Sequence, residues 1–485
     1  MDLKQQAVTG ARWTTISTVV TTLLQLAQFV ILARLLAPEA FGLMAILLVI
    51  VGFAQIFSDL GISDGIIHKQ QTPDRVLSTL YWINLAAALV VVLLMVLATP
   101  LMIVIFSEPR LAPLLPWIAL SVFVAAIGRQ FQIVLQRELR FRPIALAEIA
   151  GAVMGITLAV LIAAQTGNAI ALVYGHLAQA TMRSLVLVAL GSRTWHPRFE
   201  LTGEGLADYL NFGFWQVSEQ VVNFVAERVD QILIGALLGA QALGFYNLAY
   251  NLVVMPVSRI NPVITRVAFP VFARLQQDQA QLRAGYLRLV NLLSLVNFPL
   301  LVGLAAVAGL LVPTLFGTAW QPAVPVLQLL ALVMLFRSLG NPSGSLMLAT
   351  GKVRMSFFWN LGVITAQVPI VWVTALAGGI TGVALGLLLL QLVYFYPFYH
   401  LVLKRLIDCR LVEYLGAFVP LLIISLAMGL MVHGGLHLAG QALPGLPTSL
   451  VLALAVLSGA LIQLGLCLLF ARRDITYLVA RLRSR

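Results

Sequence analysis

Apolar residues run along this chain in stretches of twenty or more, separated by short polar breaks. A helix of about 20 residues spans a bilayer. About fourteen such runs can be read, near 12–36, 40–66, 77–100, 113–136, 143–164, 168–190, 208–238, 243–270, 286–311, 322–349, 355–377, 380–403, 412–436 and 448–470. Backbone polar groups in hydrocarbon must be satisfied within each segment, which favours helices. The pattern therefore predicts an all-α polytopic membrane protein with about 14 transmembrane helices. An even number of spans puts both termini on one side.

The breaks between runs carry a charge pattern. Alternate connections hold Lys69 and Arg75; Arg137, Arg140 and Arg142; Arg193 and Arg198; Arg274, Arg283 and Arg288; Lys352 and Arg354; Lys404, Arg405 and Arg410. The tail adds Arg472, Arg473, Arg481, Arg483 and Arg485. The other connections hold almost nothing positive: 33–40 with Arg34, 107–110, 165–168, 239–241, 317–321, 378–379 and 433–447. Positive charge marks the cytoplasmic side, so both termini are expected to be cytoplasmic. No connection is long enough to form a domain of its own.

Composition agrees with a lipid solvent. The chain is 61% hydrophobic and 10% charged, where a soluble domain carries about 25% charged residues. Its net charge of +12 raises the question of nucleic acid. The basic residues punctuate the chain instead of forming a patch, which argues against a nucleic-acid partner. Cys409 and Cys467 are far apart and suggest no disulfide framework or CxxC site. The first apolar run is too long for a signal-peptide core and lacks a clear cleavage site, so it is expected to be a retained span.

An internal repeat is visible. Ile31–Leu43, ILARLLAPEAFGL, aligns with Leu233–Phe245, LIGALLGAQALGF. A weaker match sets Gly128 to Arg142 against Gly340 to Arg354. Six runs separate the copies, so they share one orientation, as in parallel repeats about an axis along the membrane normal. This predicts two pseudo-symmetric six-helix lobes, 1–205 and 206–410, and an appendix at 411–485 of two additional helices and a basic tail. Transporters built this way place the substrate site between lobes.

Polar residues inside the runs carry the candidate chemistry. The seventh run has a seam of Gln216, Glu219, Gln220, Asn223, Glu227, Asp230 and Gln231, which falls within about a third of a helix circumference. A charge in the bilayer centre costs roughly 2.5–3.5 kcal/mol on insertion scales, so such residues face a cavity or one another. Neighbouring carboxylates and burial raise one another's pKa, which makes Glu219, Glu227 and Asp230 candidates for coupling to a proton or sodium ion. Arg228 lies opposite that seam. The eighth run carries Arg259 and Arg266 and is interrupted by Pro256 and Pro262.

The first run puts Thr14, Ser17, Thr18, Thr21, Gln25 and Gln28 on one face. That face either hydrogen-bonds between helices or lines a cavity. Asp59 can reach water at the end of its run, and Glu148 sits where a helix N-terminus favours a carboxylate. Arg337, beside Gly340, Asn341, Pro342 and Gly344, is either an anion contact at a hinge or half of an ion pair with an acid of the seventh run. His433 and His437 have metal-ligand spacing but no Cys or Glu beside them, so a surface pair is the simpler reading. No GxxxxGK[ST] motif and no enzyme constellation occurs. No cofactor is called for, and energy for transport must come from a gradient or a partner.

Several segments resemble a known group. They are GARWTTISTVV from Gly10, LARLLAPEAFGLMAI from Leu32, DLGISDGIIHK from Asp59, TLYWINL from Thr79, GFYNLAYNLVVMPVSRINPVITRVAFPVFARLQ from Gly244 and PVLQLLALVMLFRSLGNPSGSLMLATGK from Pro325. They look like the polysaccharide transporter branch of the multidrug/oligosaccharidyl-lipid/polysaccharide exporter superfamily, nearest the colanic acid exporter type. The likeness covers the chain to about Leu406; beyond that only hydropathy agrees. It implies two six-helix bundles in a V with alternating access. It also implies a substrate of oligosaccharide units on undecaprenyl pyrophosphate, moved across the bacterial inner membrane for exopolysaccharide, capsule or O-antigen synthesis. Polysaccharide polymerase and glycosyltransferases would be assembly partners.

A pyrophosphate needs cations, and arginine suits it by its planar donor fork. The arginines in or near the membrane are Arg12, Arg34, Arg129, Arg259, Arg266 and Arg337; the last three, with Asn223 and Gln25, are the expected substrate contacts. The acidic seam suits sugar hydroxyls or a coupling cation better. Three other readings stay open, one of them a non-transporting scaffold for a glycan assembly complex. A cation-coupled multidrug antiporter of the same fold would use the acids for a cationic drug. A membrane-embedded polysaccharide polymerase would be expected to carry a long outward loop with catalytic residues, and the outward loops here are short.

Overall fold

The computed structural model describes residues 3–61, 66, 73–200, 202, 206–265, 272, 274–275, 278–442 and 446–470. Among these every regular element is helical. Eleven helices are long and apolar enough to cross a membrane by length and composition. Two of the eleven are long segments broken by glycines. Leu206–Thr265 loses helical geometry at Gly239, and Val353–Phe398 loses it at Gly378 and Gly379. Gly239 and Gly379 have φ of 81° and 59°, backbone space that residues with a Cβ rarely occupy. Both breaks fall at connections expected from the charge pattern. Ile170–Gly191 is a further 22-residue helix outside the eleven, its apolar run interrupted by His176, Gln179 and Arg183.

The chain divides into two compact units, Met1–Gly244 and Phe245–Arg485. In the first, Phe141–Thr166 packs on both Leu3–Leu35 and Ile170–Gly191. Small residues let Phe141–Thr166 and Ile170–Gly191 approach backbone to backbone. A Cβ on Gly155 would lie 3.0 Å from the Gly175 carbonyl oxygen, and one on Gly175 would lie 2.6 Å from the Ala159 Cβ. Without a hydrophobic drive between helices in lipid, such close van der Waals contact is what holds them together. Leu115–Arg137 lies against Ile170–Gly191, Asp74–Leu97 and Pro38–Asp59. Residues 206–238 join through Phe224, whose ring sits against Gly52 and 6.1 Å from the Phe53 ring.

A core of Leu77, Leu80, Tyr81, Phe131, Leu135, Leu187 and Trp195 closes one end of this unit. The connector after Gly191 is fastened over that core. Thr79 donates to the Glu200 carbonyl and accepts from the Thr202 amide, and Ser78 accepts from the Arg198 amide. Trp82 donates to the Arg198 carbonyl and stacks on Phe199 with centroids 4.3 Å apart.

In the second unit, Gln279–Phe316 packs on Ala323–Ala349, Leu411–Ala442 and Thr448–Phe470, and Ala323–Ala349 packs on Val353–Phe398. Residues 245–265 are tied in by a buried amide pair in which Asn297 donates to Asn261 at 2.9 Å. The last two long helices share a core of Val307, Met428, Val432, Leu452 and Ala455 with Gln279–Phe316.

Candidate functional site

The second unit holds a cavity of about 340 Å³, within the size range of small-molecule sites, about 300–1,000 Å³. Ala323–Ala349 contributes Arg337, Asn341 and Ser343 to it; Val353–Phe398 contributes Trp359, Asn360, Gln391 and Tyr394. Arg337 projects where that helix carries Pro342, which removes a backbone donor. The guanidinium is exposed and makes no ion pair or hydrogen bond with a described residue. Among the described residues no Asp or Glu lines the cavity. Tyr394 is oriented by donating to the Val363 carbonyl at 2.9 Å, and its ring meets Trp359 edge-on at 6.0 Å. Tyr414 adds a fully buried phenol whose hydroxyl has no hydrogen-bond partner among the described residues. The described lining thus offers a free cation, amides that donate and accept, and flat aromatic surface. That set can hold an anion together with a hydroxyl-rich group.

A smaller polar cavity, about 160 Å³, lies inside the first unit. Its walls include Asp59 and Arg129, which pair at 3.1 Å. Arg183 donates to Gln132 at 3.0 Å. The Oδ1 of Asn84, a 3% exposed residue, lines the same space without a partner among the described residues. Nearby, Ser17 donates to Glu148 at 2.9 Å, so that carboxylate is tied to the first helix.

The acidic seam is divided. Glu219, Asn223 and Glu227, four residues apart, stand exposed in one line along residues 206–238. Gln216 and Gln220 are half-buried beside them. Asp230 and Gln231 enter the core at 4% and 2% exposure, and Arg228, expected to lie opposite the seam, instead joins it by donating to Gln231 at 3.0 Å, one helical turn away. Gln25 is half-buried and Arg259 exposed. Arg266 lies outside the described residues. Of the expected substrate contacts that are described, only Arg337 lines the larger cavity. Sequence reasoning passed over Trp359, Asn360, Gln391, Tyr394, Arg183 and Gln132; the signal for Arg183 was a charge eight residues inside a helix end. Among the described residues no three His, Cys, Asp or Glu side chains form a metal site, and His433 and His437 are exposed.

Residues 31–325 match the family described as polysaccharide biosynthesis protein. The chain is 34% identical to the lipopolysaccharide biosynthesis protein WzxC of Escherichia coli strain K12, over 90% of each chain. It is 32% identical to the teichuronic acid biosynthesis protein TuaB of Bacillus subtilis strain 168, over 95% of each. Its fold is similar to that of a lipid II flippase, MurJ, in an inward closed conformation. That match has a TM-score of 0.78 over 95% of this chain and 99% of the other, at 14% identity.

Proposed function

This chain belongs to the polysaccharide biosynthesis protein family, and from that premise we propose that it is a flippase for lipid-linked oligosaccharide units. The substrate in this reading is an oligosaccharide on undecaprenyl pyrophosphate, moved from the cytoplasmic to the periplasmic leaflet of the bacterial inner membrane. Its product feeds a surface polysaccharide. The observation that carries the reading is Arg337, a guanidinium unpaired among the described residues, in a ligand-sized cavity of a many-helix membrane protein. A cation inside a membrane-spanning run faces a cavity or a partner, and an anionic ligand entering the cavity would supply that partner. Amides and aromatic faces beside it suit sugar.

Access alternates between the two sides of the membrane, with lobes at 1–205 and 206–410, an appendix at 411–485 and both termini in the cytoplasm. Arg259, Arg266, Asn223 and Gln25 complete the substrate path, and a proton or sodium gradient acts through Glu219, Glu227 and Asp230. Reconstitution into vesicles tests the whole. Labelled lipid-linked oligosaccharide should cross faster with the protein than without it, and faster still under an imposed pH or sodium gradient. No movement under any gradient would remove the reading. The exposed line of Glu219 and Glu227 favours one second reading, a multidrug antiporter, which the same vesicles test with a cationic dye.

A further inference from the structure

The two copies of the sequence repeat meet face to face within the first unit. A Cβ on Gly42 would collide with the Ala240 carbonyl oxygen, and one on Gly244 with the Pro38 carbonyl oxygen. Pro38 and Ala240 are equivalent positions in the repeat, and so are Gly42 and Gly244, all at the same 202-residue offset. Residue i of one copy therefore touches residue j of the other, and j of the first touches i of the second. That reciprocity is the signature of an interface about a two-fold axis. Here both halves belong to one chain. Both turns start a helix, one at Pro38 and one just after Gly239.

The charges on this joint are not symmetric. Helix N-termini favour carboxylates. The first copy supplies Glu39 in its own first turn, but the second copy has Gln241 at the equivalent place. Glu108, from the connection after residue 106, fills the gap by accepting from the Ala240 amide at 3.4 Å. Arg110 then spans the two acids, 2.7 Å from Glu39 and 2.9 Å from Glu108. Those hydrogen bonds, to Glu39 first and Glu108 second, raise the pKa of the Arg110 guanidinium above its ordinary value. Glu108 is 9% exposed, so the bridge reaches into the fold. All three connections, 33–40, 107–110 and 239–241, are among those poor in positive charge.

We propose that the paired turns Pro38–Gly42 and 240–244 are a joint that parts during the access cycle, and that Arg110 is the clip holding it shut through Glu39 and Glu108. Carbonyl-on-glycine packing cannot be loosened gradually, since no side chain is present to re-pack. The joint is either seated or apart, and the clip sets the balance. The inference rests on the proposed alternating access and on the outward placement of these connections.

Cysteine accessibility tests it in full-length protein with Cys409→Ala and Cys467→Ala. The reporter is Ala40→Cys, at a position 7% exposed. A membrane-impermeant maleimide is applied to right-side-out and to inside-out vesicles. Labelling should be slow with Arg110 present and about fivefold faster in Arg110→Gln and in Glu108→Gln, the size of shift a partly exposed charge pair supports. The double variant should gain nothing more. Gly42→Ala should also accelerate labelling, whereas Gly309→Ala, with open space around it, should not.

Equal rates in the parent, Arg110→Gln and Glu108→Gln would overturn the clip. Faster labelling with unchanged oligosaccharide transport would overturn the joint's part in access. If acceleration appears only in inside-out vesicles, the joint stands and the assigned orientation falls. If the parent itself moves no oligosaccharide, the flippase reading falls while the labelling ratios still judge the clip.

Discussion

Asp59 and Arg129 meet at 3.1 Å between helices Pro38–Asp59 and Leu115–Arg137, with the carboxylate side chain 7% exposed and the guanidinium 48%. Removing the arginine takes the opposite charge away from a buried carboxylate, while neutralising both partners leaves no buried charge to compensate. Arg129→Ala should therefore lower stability by about 2–3 kcal/mol, below the range for a fully buried pair because the guanidinium is half exposed. Asp59→Asn combined with Arg129→Gln should recover most of that loss. Thermal unfolding of the parent and both variants in one detergent checks the order.

Arg337 presents the opposite case. With no ion pair or hydrogen bond to a described residue, its loss should leave unfolding temperature unchanged. Arg337→Gln should slow oligosaccharide transport about tenfold or more, since a charge-assisted bond to an anion contributes roughly 1.5–3 kcal/mol. Arg337→Lys should fall between, because the point charge survives but the planar fork does not. The measurement is initial transport rate in vesicles alongside a melting curve.

The divided acidic seam separates two outcomes on one helix. Glu219→Gln with Glu227→Gln should abolish the effect of an imposed ion gradient on transport and leave unfolding unchanged, since both side chains are exposed. Asp230→Asn should weaken the gradient effect and also lower stability, because the residue is 4% exposed and its carboxylate accepts the Gln231 amide at 2.8 Å. Gradient-driven uptake and thermal unfolding read the two effects independently.

Burial, above all, pushes the Cys409 thiol up to about 11, with Glu413 next in effect. The thiolate is the reactive form. Alkylation of Cys409 should be slow at neutral pH and rise about tenfold per pH unit until the thiol titrates. The same shift has a consequence for stability. Between the ordinary thiol pKa near 9 and about 11, the unfolded chain has lost the proton that the folded chain keeps. This contribution is fully present below pH 9 and should fade as pH rises towards 11. Alkylation rates across a pH series, with Cys467→Ala to isolate the site, check the first statement; unfolding of Cys409→Ala against the parent checks the second.

How much the sequence makes legible depends on the range of each signal. Apolar runs and their breaks are local, so the helix-rich membrane fold and the turns at Gly239 and Gly378 could be read directly. Arg337 stood out as an arginine inside an apolar run, but whether it would face a cavity or pair with an acid of the seventh run depended on packing; it lines the larger cavity. The Asp59–Arg129 pair was not: each residue has an innocuous local reading, and their partnership depends on packing between helices seventy positions apart. The seam shows a different limit. Periodicity gathered seven residues into one sector, but a sector says nothing about what stands opposite each turn. Glu219 and Glu227 met open space, whereas Asp230 met the core. Trp359 and Tyr394 were indistinguishable from ordinary membrane aromatics until the helix Val353–Phe398 folded back on itself at Gly378 and brought them to one cavity wall.

The connector after Gly191 is a splint, not a tether. Bonded through Arg198, Glu200 and Thr202 along a single helix, it has surrendered the slack its length would suggest. Lifting Arg198, Glu200 or Thr202 away from Asp74–Leu97 must break these bonds or peel Phe199 from Trp82. A reporter or protease site spliced between Arg198 and Thr202 would disturb that helix, whatever the nature of the insert.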